Sequence, residues 1–492
     1  MECQGTNSFV PLSLIKLVRI FNPRGQFPLR STKFFRDLLS PQGKSFNCNY
    51  NSWLMASSYK SIAAKALILA TCALPITGSA FSQTNPDQNR QPAMPAHLPN
   101  PLVLADGTPI TTPASWAKQK EELLKLFTGQ MYGRIPARPA QMRFQVNEIY
   151  RQALGGKATR EQVSILFLGK QDGPRMDLLV YVPNHIKQPP VILGFNFWGN
   201  ETINPDNGIR LSDRWIESSG GSSIDLACVK KNRPTEACRG IDQSRWPVEK
   251  IIDAGYALAT AYRGDVDPDR KDGFDESIRS AWPKLAHGGD NFSTIAAWAW
   301  AMSRALDYLE QDGLVDGRRV IAFGWSRLGK AAIWAGATDP RFVAVISNES
   351  GAGGAKVFHD VHGETVELLN TRFPYWFCNN FKQYNGRDAN LPFDQNEVLA
   401  LIAPRPLYIA SAILDGNANP QAEFLGALAV APVYRLLGSA GLPASVWPSV
   451  DQPILGRVSY HVRSGVHSVT SFDWDQYLRF CDAYVKPGKT SR

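Results

Sequence analysis

The chain has 492 residues, with 53 Lys plus Arg against 44 Asp plus Glu, 44% apolar residues and 11% aromatics, a globular profile that excludes fibrous and disordered classes. The formal charge of +9 is concentrated at the start: residues 1–80 hold nine Lys/Arg and two Asp/Glu, a net +7, which leaves +2 for the rest. A nearly neutral body with no basic run and no zinc-type Cys/His spacing has no electrostatic footprint for nucleic acid.

In chain order, residues 56–83 read ASSYKSIAAKALILATCALPITGSAFSQ, with Lys60 and Lys65 ahead of an apolar stretch from Ala66 to Ile76 and small residues at Gly78, Ser79 and Ala80. That layout predicts a secretory signal peptide over 55–82 and a secreted or periplasmic protein. The stretch is about half of the roughly 20 residues a span requires, so no stable membrane span is expected. Met55 precedes the signal, which makes residues 1–54 an upstream leader that need not be translated and predicts a mature N-terminus near residues 81–83. Leu69–Cys72 only faintly resembles a lipoprotein box, and Thr71 before the cysteine argues against lipidation. Four of the seven Cys follow the leader. Cys228 and Cys238, in the polar segment ACVKKNRPTEAC, suit a short loop disulfide in an oxidising compartment, while Cys378 and Cys481 sit in apolar surroundings and are expected to be buried.

Residues 83–113 form a Pro-rich lead-in, extended or disordered. Thr112 before Pro113 is a helix start, Trp116, Leu123, Leu124 and Phe127 recur at helical spacing, and Gly129 is the expected stop. Strand-like runs follow at Gln162–Leu168, Leu178–Val182, Val191–Phe197, Ala257–Tyr262, Arg319–Phe323, Phe342–Ser347, Leu407–Ala412 and Ala444–Trp447. Helical stretches alternate with them at Thr294–Leu309, Lys330–Ala337, Glu397–Ile402, Phe424–Leu437 and Ser471–Tyr484. Runs such as VILGF are apolar on both faces, as for strands covered by helices on both sides. The expectation is one α/β domain over 114–492, a three-layer αβα sandwich around a mostly parallel sheet.

The run RRVIAFGW leads directly into Ser326, and SRLGKAAIWAGA continues as a helix, which puts Ser326 at a sharp strand-to-helix turn of the nucleophile-elbow kind. Such a turn lifts the hydroxyl above the sheet edge and points backbone N–H groups at a developing oxyanion. A serine nucleophile needs a base and an orienting acid, in that order of function. Among the histidines after Ser326, His467 lies in the loop SGVHS ahead of the last helix and can reach back to the elbow. His461 sits in the alternating run Val458–Arg463 and reads as a strand residue, and His359 and His362 with Asp360 and Glu364 lack any zinc-protease string. Two acids follow strand ends, Glu349 after FVAVISN and Asp415 after PLYIASAIL, and their order does not choose between them.

Together GWSRLGKAAIWAGA, SNESGAGGA, HGETVELLN, FPYWFC, TEACRGIDQSRWPVE, GYALATAYRGDVDPD and SGVHS resemble the bacterial branch of the glucuronoyl esterases, carbohydrate esterase family fifteen, from about Met131 to the C-terminus. The resemblance implies an α/β-hydrolase fold, no metal or other cofactor, and hydrolysis of esters between 4-O-methyl-glucuronic acid of plant cell wall glucuronoxylan and lignin alcohols. It implies Ser326 as nucleophile, His467 as base, Arg327 as an oxyanion-stabilising arginine, and Glu349 with Asp415 as the two acid positions. Lys330 and Glu364 match positions that hydrogen-bond sugar hydroxyls. Trp325 stands where fungal members carry a disulfide-bonded cysteine, Asn417 where many members place a tryptophan against the sugar, and Arg372 near a polar sugar contact. The alternatives are an acetyl or other carbohydrate esterase on the same fold, or a carbohydrate-binding homologue without turnover.

Overall fold

The computed structural model describes residues 91–218 and 224–486, so the expected leader and signal peptide lie outside the described residues. Residues 91–112 run without helix or strand but are packed onto the domain: Ile110 is buried, and Asn396 donates from Nδ2 to the Pro99 carbonyl at 2.8 Å. Helix α1, Pro113–Phe127, starts where expected, with the Thr112 hydroxyl accepting from the Ser115 N–H at 3.1 Å. It does not stop at Gly129. The chain stays helical through Thr128–Tyr132 and breaks at Gly133, whose φ of 86° and whose missing Cβ, which would lie 1.9 Å from the Asn291 carbonyl oxygen, admit only glycine.

Nine strands form one sheet: β1 Arg143–Ala153, β2 Ala158–Leu166, β3 Arg175–Pro183, β4 Val191–Asn196, β5 Ala257–Tyr262, β6 Val320–Trp325, β7 Phe342–Asn348, β8 Leu407–Ala412 and β9 Val458–Arg463. Their spatial order is β1-β2-β3-β5-β4-β6-β7-β8-β9. The first three are joined antiparallel, as is β3 to β5, and from β5 through β4 to β9 every pairing is parallel. Sequence reasoning missed β1, whose residues are mostly exposed and polar because it is an edge strand. It also expected a strand at Ala444–Trp447. That segment, flanked by Pro443 and Pro448, is irregular and bonds through the Trp447 N–H to the Gln91 side chain at 2.7 Å. The last strand is the alternating run Val458–Arg463, in register with β8.

The helices are α2 Val248–Asp253, α3 Thr294–Leu309, α4 Arg327–Thr338, α5 Val366–Arg372, α6 Gln395–Ala400, α7 Pro420–Ala429, α8 Ala431–Leu436 and α9 Ser471–Tyr484. The stretch expected as one helix over Phe424–Leu437 divides into α7 and α8, with Pro432 in the first turn of the second. Every residue of α3 is buried, so TIAAWAWAMSRALDYL is apolar nearly all round because it is a core helix. Helix α4 lies close on β7 because Gly336 faces Val345, where a Cβ would stand 2.3 Å from the valine methyl. Cys228 and Cys238 are disulfide-bonded, and Cys378 and Cys481 are free and buried. Among the described residues, no helix is long and apolar enough to cross a membrane.

Candidate active site

Four neighbouring parallel strands deliver the expected groups to one edge of the sheet. Ser326 follows β6, Glu349 follows β7, Asp415 follows β8 and His467 lies in the loop after β9. In a parallel sheet all these C-terminal ends lie on the same side, which is why residues spread over 142 positions converge.

Ser326 is held at φ 56° and ψ −132°, a conformation that L-residues rarely adopt. Its N–H donates to the Asn348 carbonyl at 2.9 Å, so the turn is pinned to the end of the neighbouring strand. The two glycines of GWSRLG make the turn possible: a Cβ on Gly324 would lie 2.0 Å from the Leu328 carbonyl oxygen, and one on Gly329 would crowd Ser347 and Ser350. The N–H groups of Gly329 and Lys330 donate to the Ser326 carbonyl, and the Arg327 N–H, next after the serine, occupies the position from which such a turn supplies an oxyanion donor.

The His467 ring is oriented by both acids. Its Nδ1 lies 2.5 Å from Asp415 Oδ2 and 3.0 Å from Glu349 Oε2. Asp415 Oδ1 accepts the Ala418 N–H, whereas Glu349 is shared more widely: Oε2 accepts the Ser468 N–H at 2.8 Å and Oε1 pairs with the Arg463 guanidinium. Burial works against the charged imidazolium, but the bonds from Asp415 and then Glu349 outweigh it and raise His467 above the ordinary histidine range. Burial pushes the Glu349 carboxyl upward, opposed by His467 and Arg463. Trp325 packs against the ring, with centroids 5.3 Å apart.

Arg463 was missed from sequence. It is 3% exposed and donates to the carbonyls of Ser464, Val466 and Ser468 as well as to Glu349 and Asp473, so it fixes the loop that carries His467. His461 lies beneath, buried between the Tyr408 hydroxyl and Asp473, and is a strand residue as its alternation suggested.

Arg327 lines the same cleft as Ser326 and His467, together with Trp198, Trp215 and Phe373. Its Nη1 donates to Asp269 Oδ2 at 2.6 Å, its plane lies over Trp376 at 4.7 Å, and its Nε is buried with no acceptor among the described residues. Asp269, also missed, is buried and receives Arg263 and the Trp376 indole N–H as well. Burial raises its carboxyl, but Arg263 and Arg327 outweigh that and hold it below the usual carboxylate range. Arg372 reaches the cleft mouth, where its guanidinium lies over Phe373.

Lys330 is placed differently from expectation. It is buried, and its Nζ donates to the Ser350 and Ala352 carbonyls and to Glu364 Oε2 at 2.6–2.9 Å, so its three ammonium protons meet three acceptors of the chain itself. Glu364 keeps 19% of its side chain exposed, and its N–H donates to the carbonyl of the exposed Asn417.

Glu349, Asp415 and His467 each offer a possible metal-ligand atom within 4.8 Å of the others. The spacing does not fit an ion. Two ligands each about 2 Å from a tetrahedral metal stand about 3.3 Å apart, whereas Nδ1 and the Asp415 oxygen are at hydrogen-bond contact of 2.5 Å. His359 and His362 bond separately to Asp394 and Asp360.

A strained serine between β6 and α4, with a carboxylate-bound histidine from the loop after the last strand, defines an α/β-hydrolase. A family model described as glucuronyl esterase of fungi matches residues 243–438. Carbohydrate esterase MZ0003, from an unknown prokaryotic organism, is 43% identical over 396 residues, which covers 80% of this chain and 90% of that protein. The solved structure of a glucuronoyl esterase from Solibacter usitatus matches with a TM-score of 0.75 at 45% identity, over 81% of this chain and 99% of that one. A structure described as a promiscuous CE15 esterase from the marine bacterial metagenome matches with a TM-score of 0.74 at 42% identity, over 81% and 99%. The chain belongs to the glucuronoyl esterases, carbohydrate esterase family 15, and is a carboxylic ester hydrolase.

Proposed function

We propose that the protein is a secreted serine esterase that cleaves esters between 4-O-methyl-glucuronic acid of glucuronoxylan and lignin alcohols through an acyl-enzyme. Relatives named 4-O-methyl-glucuronoyl methylesterase, such as that of Phanerochaete chrysosporium at 25% identity over 384 residues, support the acyl side of this reading. The observation that carries the chemistry is the pair of carboxylates on His467 Nδ1, which leaves Nε2 as the base on a ring that shares its cleft with Ser326.

His467 Nε2 takes the Ser326 proton as Oγ attacks the ester carbonyl, and the carbonyl oxygen becomes an oxyanion. The Arg327 N–H and the cleft-lining Arg327 guanidinium are the donors for that charge, and Asp269 keeps the guanidinium in place. The imidazolium returns its proton to the departing alcohol, and water repeats the cycle on the acyl-enzyme to release the glucuronic acid and restore Ser326. The Asp415 and Glu349 carboxylates stabilise the imidazolium in both halves. Of the expected sugar contacts, Glu364 is the group a sugar hydroxyl can reach, with Lys330 holding it from below. The marine relative's description as promiscuous favours a second reading, acetyl and other carbohydrate esters on the same site.

The test is release of benzyl alcohol from benzyl glucuronate by protein beginning near Ser82, beside acetylated xylan and with Ser326→Ala as control. Activity on the glucuronate that vanishes in the variant supports the first reading. Activity on the acetyl ester alone supports the second, and none on either overturns both. N-terminal sequencing of the exported protein checks for cleavage near residues 81–83.

A further inference from the structure

Beneath the two acids lies a third carboxyl group that the reaction does not use. Glu423, in the first turn of α7, is fully buried. Its Oε1 accepts the Gly351 N–H at 2.9 Å and the Ser350 hydroxyl at 3.3 Å, and its Oε2 accepts the Ser411 hydroxyl at 2.6 Å. Ser350 and Gly351 directly follow Glu349, and Ser411 lies in β8, four residues before Asp415. One side chain therefore ties the two strand ends that present acids to His467. The helix that carries it is itself fixed at this spot, because the Asn419 side chain caps α7 by accepting the Ala422 N–H.

We propose that Glu423 is a positioning residue for hydrolysis: by tying Ser350–Gly351 to Ser411 it sets the separation of Glu349 and Asp415 and so keeps both within reach of His467 Nδ1. The ionisable groups facing it are Glu349 after β7, Asp415 after β8 and the Tyr460 phenol on β9. Burial, reinforced by the two acids, pushes the Glu423 carboxyl up to about 8. That shift favours the protonated form at neutral pH, so that Glu423 adds little negative charge beneath the pair. The inference rests on the reading of His467 as base.

The test compares kcat, KM and the pH dependence of kcat/KM on benzyl glucuronate for the wild-type chain, Glu423→Ala, Glu423→Gln and Ser411→Ala, with Ser326→Ala alongside. Loss of the tie lets the acids shift relative to the ring, and displacements of that kind cost on the order of 10- to 100-fold in rate. Glu423→Ala is expected to lose that much in kcat with KM unchanged and with its acid limb displaced, and Glu423→Gln, which can accept from Gly351 and donate to Ser411, to recover most of it. Ser411→Ala removes only the Asp415-side tie and stays informative where Glu423→Ala does not fold; a kcat loss of about 3- to 10-fold is expected. Wild-type kcat and an unmoved acid limb in folded Ser411→Ala and Glu423→Ala, whatever their melting temperatures, overturn the inference. An active Ser326→Ala overturns instead the serine reading beneath it.

Discussion

Removing Asp415 tests how two acids divide one histidine. From the two distances to Nδ1, 2.5 and 3.0 Å, the Coulombic pull of Asp415 exceeds that of Glu349 by a factor of only about 1.2. The larger difference is competition, because Glu349 also serves Arg463 and the Ser468 N–H, while the Asp415 oxygen facing the ring has no other bonded partner among the described residues. Asp415→Ala is therefore expected to lower kcat by about 10- to 100-fold, with Glu349 as remaining support, and the double variant to approach the loss on the order of 10⁴ seen when a triad carboxylate is neutralised without a substitute. The base must be neutral to accept the Ser326 proton, so the rate falls as pH drops through the His467 pKa. Both acids raise that pKa, so removal of Asp415 moves the acid limb of kcat/KM to lower pH, and each unit of displacement measures about 1.4 kcal/mol of lost imidazolium stabilisation. The assay is benzyl alcohol release across pH 4 to 10. Wild-type kcat with an unmoved limb in Asp415→Ala refutes the division of labour, and an equal result in the double variant refutes His467 as the oriented base.

Glu349→Ala is expected to cost stability as well as rate, about 3–5 kcal/mol, because it strips a partner from the buried Arg463; denaturant titration beside the kinetics separates this from Asp415→Ala. Arg327→Ala should lower kcat by about 100- to 1000-fold as an oxyanion donor is lost, while Asp269 keeps Arg263 and the fold persists, as circular dichroism will report. Ser326→Gly should abolish hydrolysis yet raise thermal stability by on the order of 1 kcal/mol, since glycine relieves the positive φ; a large fall in stability argues against a strained elbow. Replacing both Cys228 and Cys238 by Ser should cost roughly 2–3 kcal/mol for a closed loop of this length, and Cys378 and Cys481, whose thiols burial raises, should resist thiol reagents until the protein unfolds.

The elbow was legible because its determinants are local: a β-rich run, two glycines at fixed offsets around a serine, and a helix-forming string. His467 was legible for a related reason, since it lies in a short loop between a strand and a capped helix. The choice of acid was not, because both Glu349 and Asp415 follow parallel strands and the structure brings both to the ring. Arg463, Asp269 and Glu423 escaped because their roles exist only in pairings across 114, 58 and 72 positions, with no periodic or composition signal. The edge strand β1 escaped for the opposite reason, as its exposure leaves it without the apolar pattern that marks the central strands. The buried setting of Lys330 was not legible either, since its acceptors Ser350, Ala352 and Glu364 lie 20 to 34 positions further along the chain.

Ser326 and Glu349 share one further property, a left-handed backbone at the ends of adjacent strands, with φ of 56° and 45°. Glycine is the residue that tolerates this conformation best. A library of variants sorted only for heat resistance will therefore accumulate glycine at Ser326, where one sorted for ester cleavage will reject it, but not at Glu349, whose side chain partners the buried Arg463. Any attempt to harden this protein for work at high temperature has to hold these two sites fixed and draw its gains from elsewhere in the sequence.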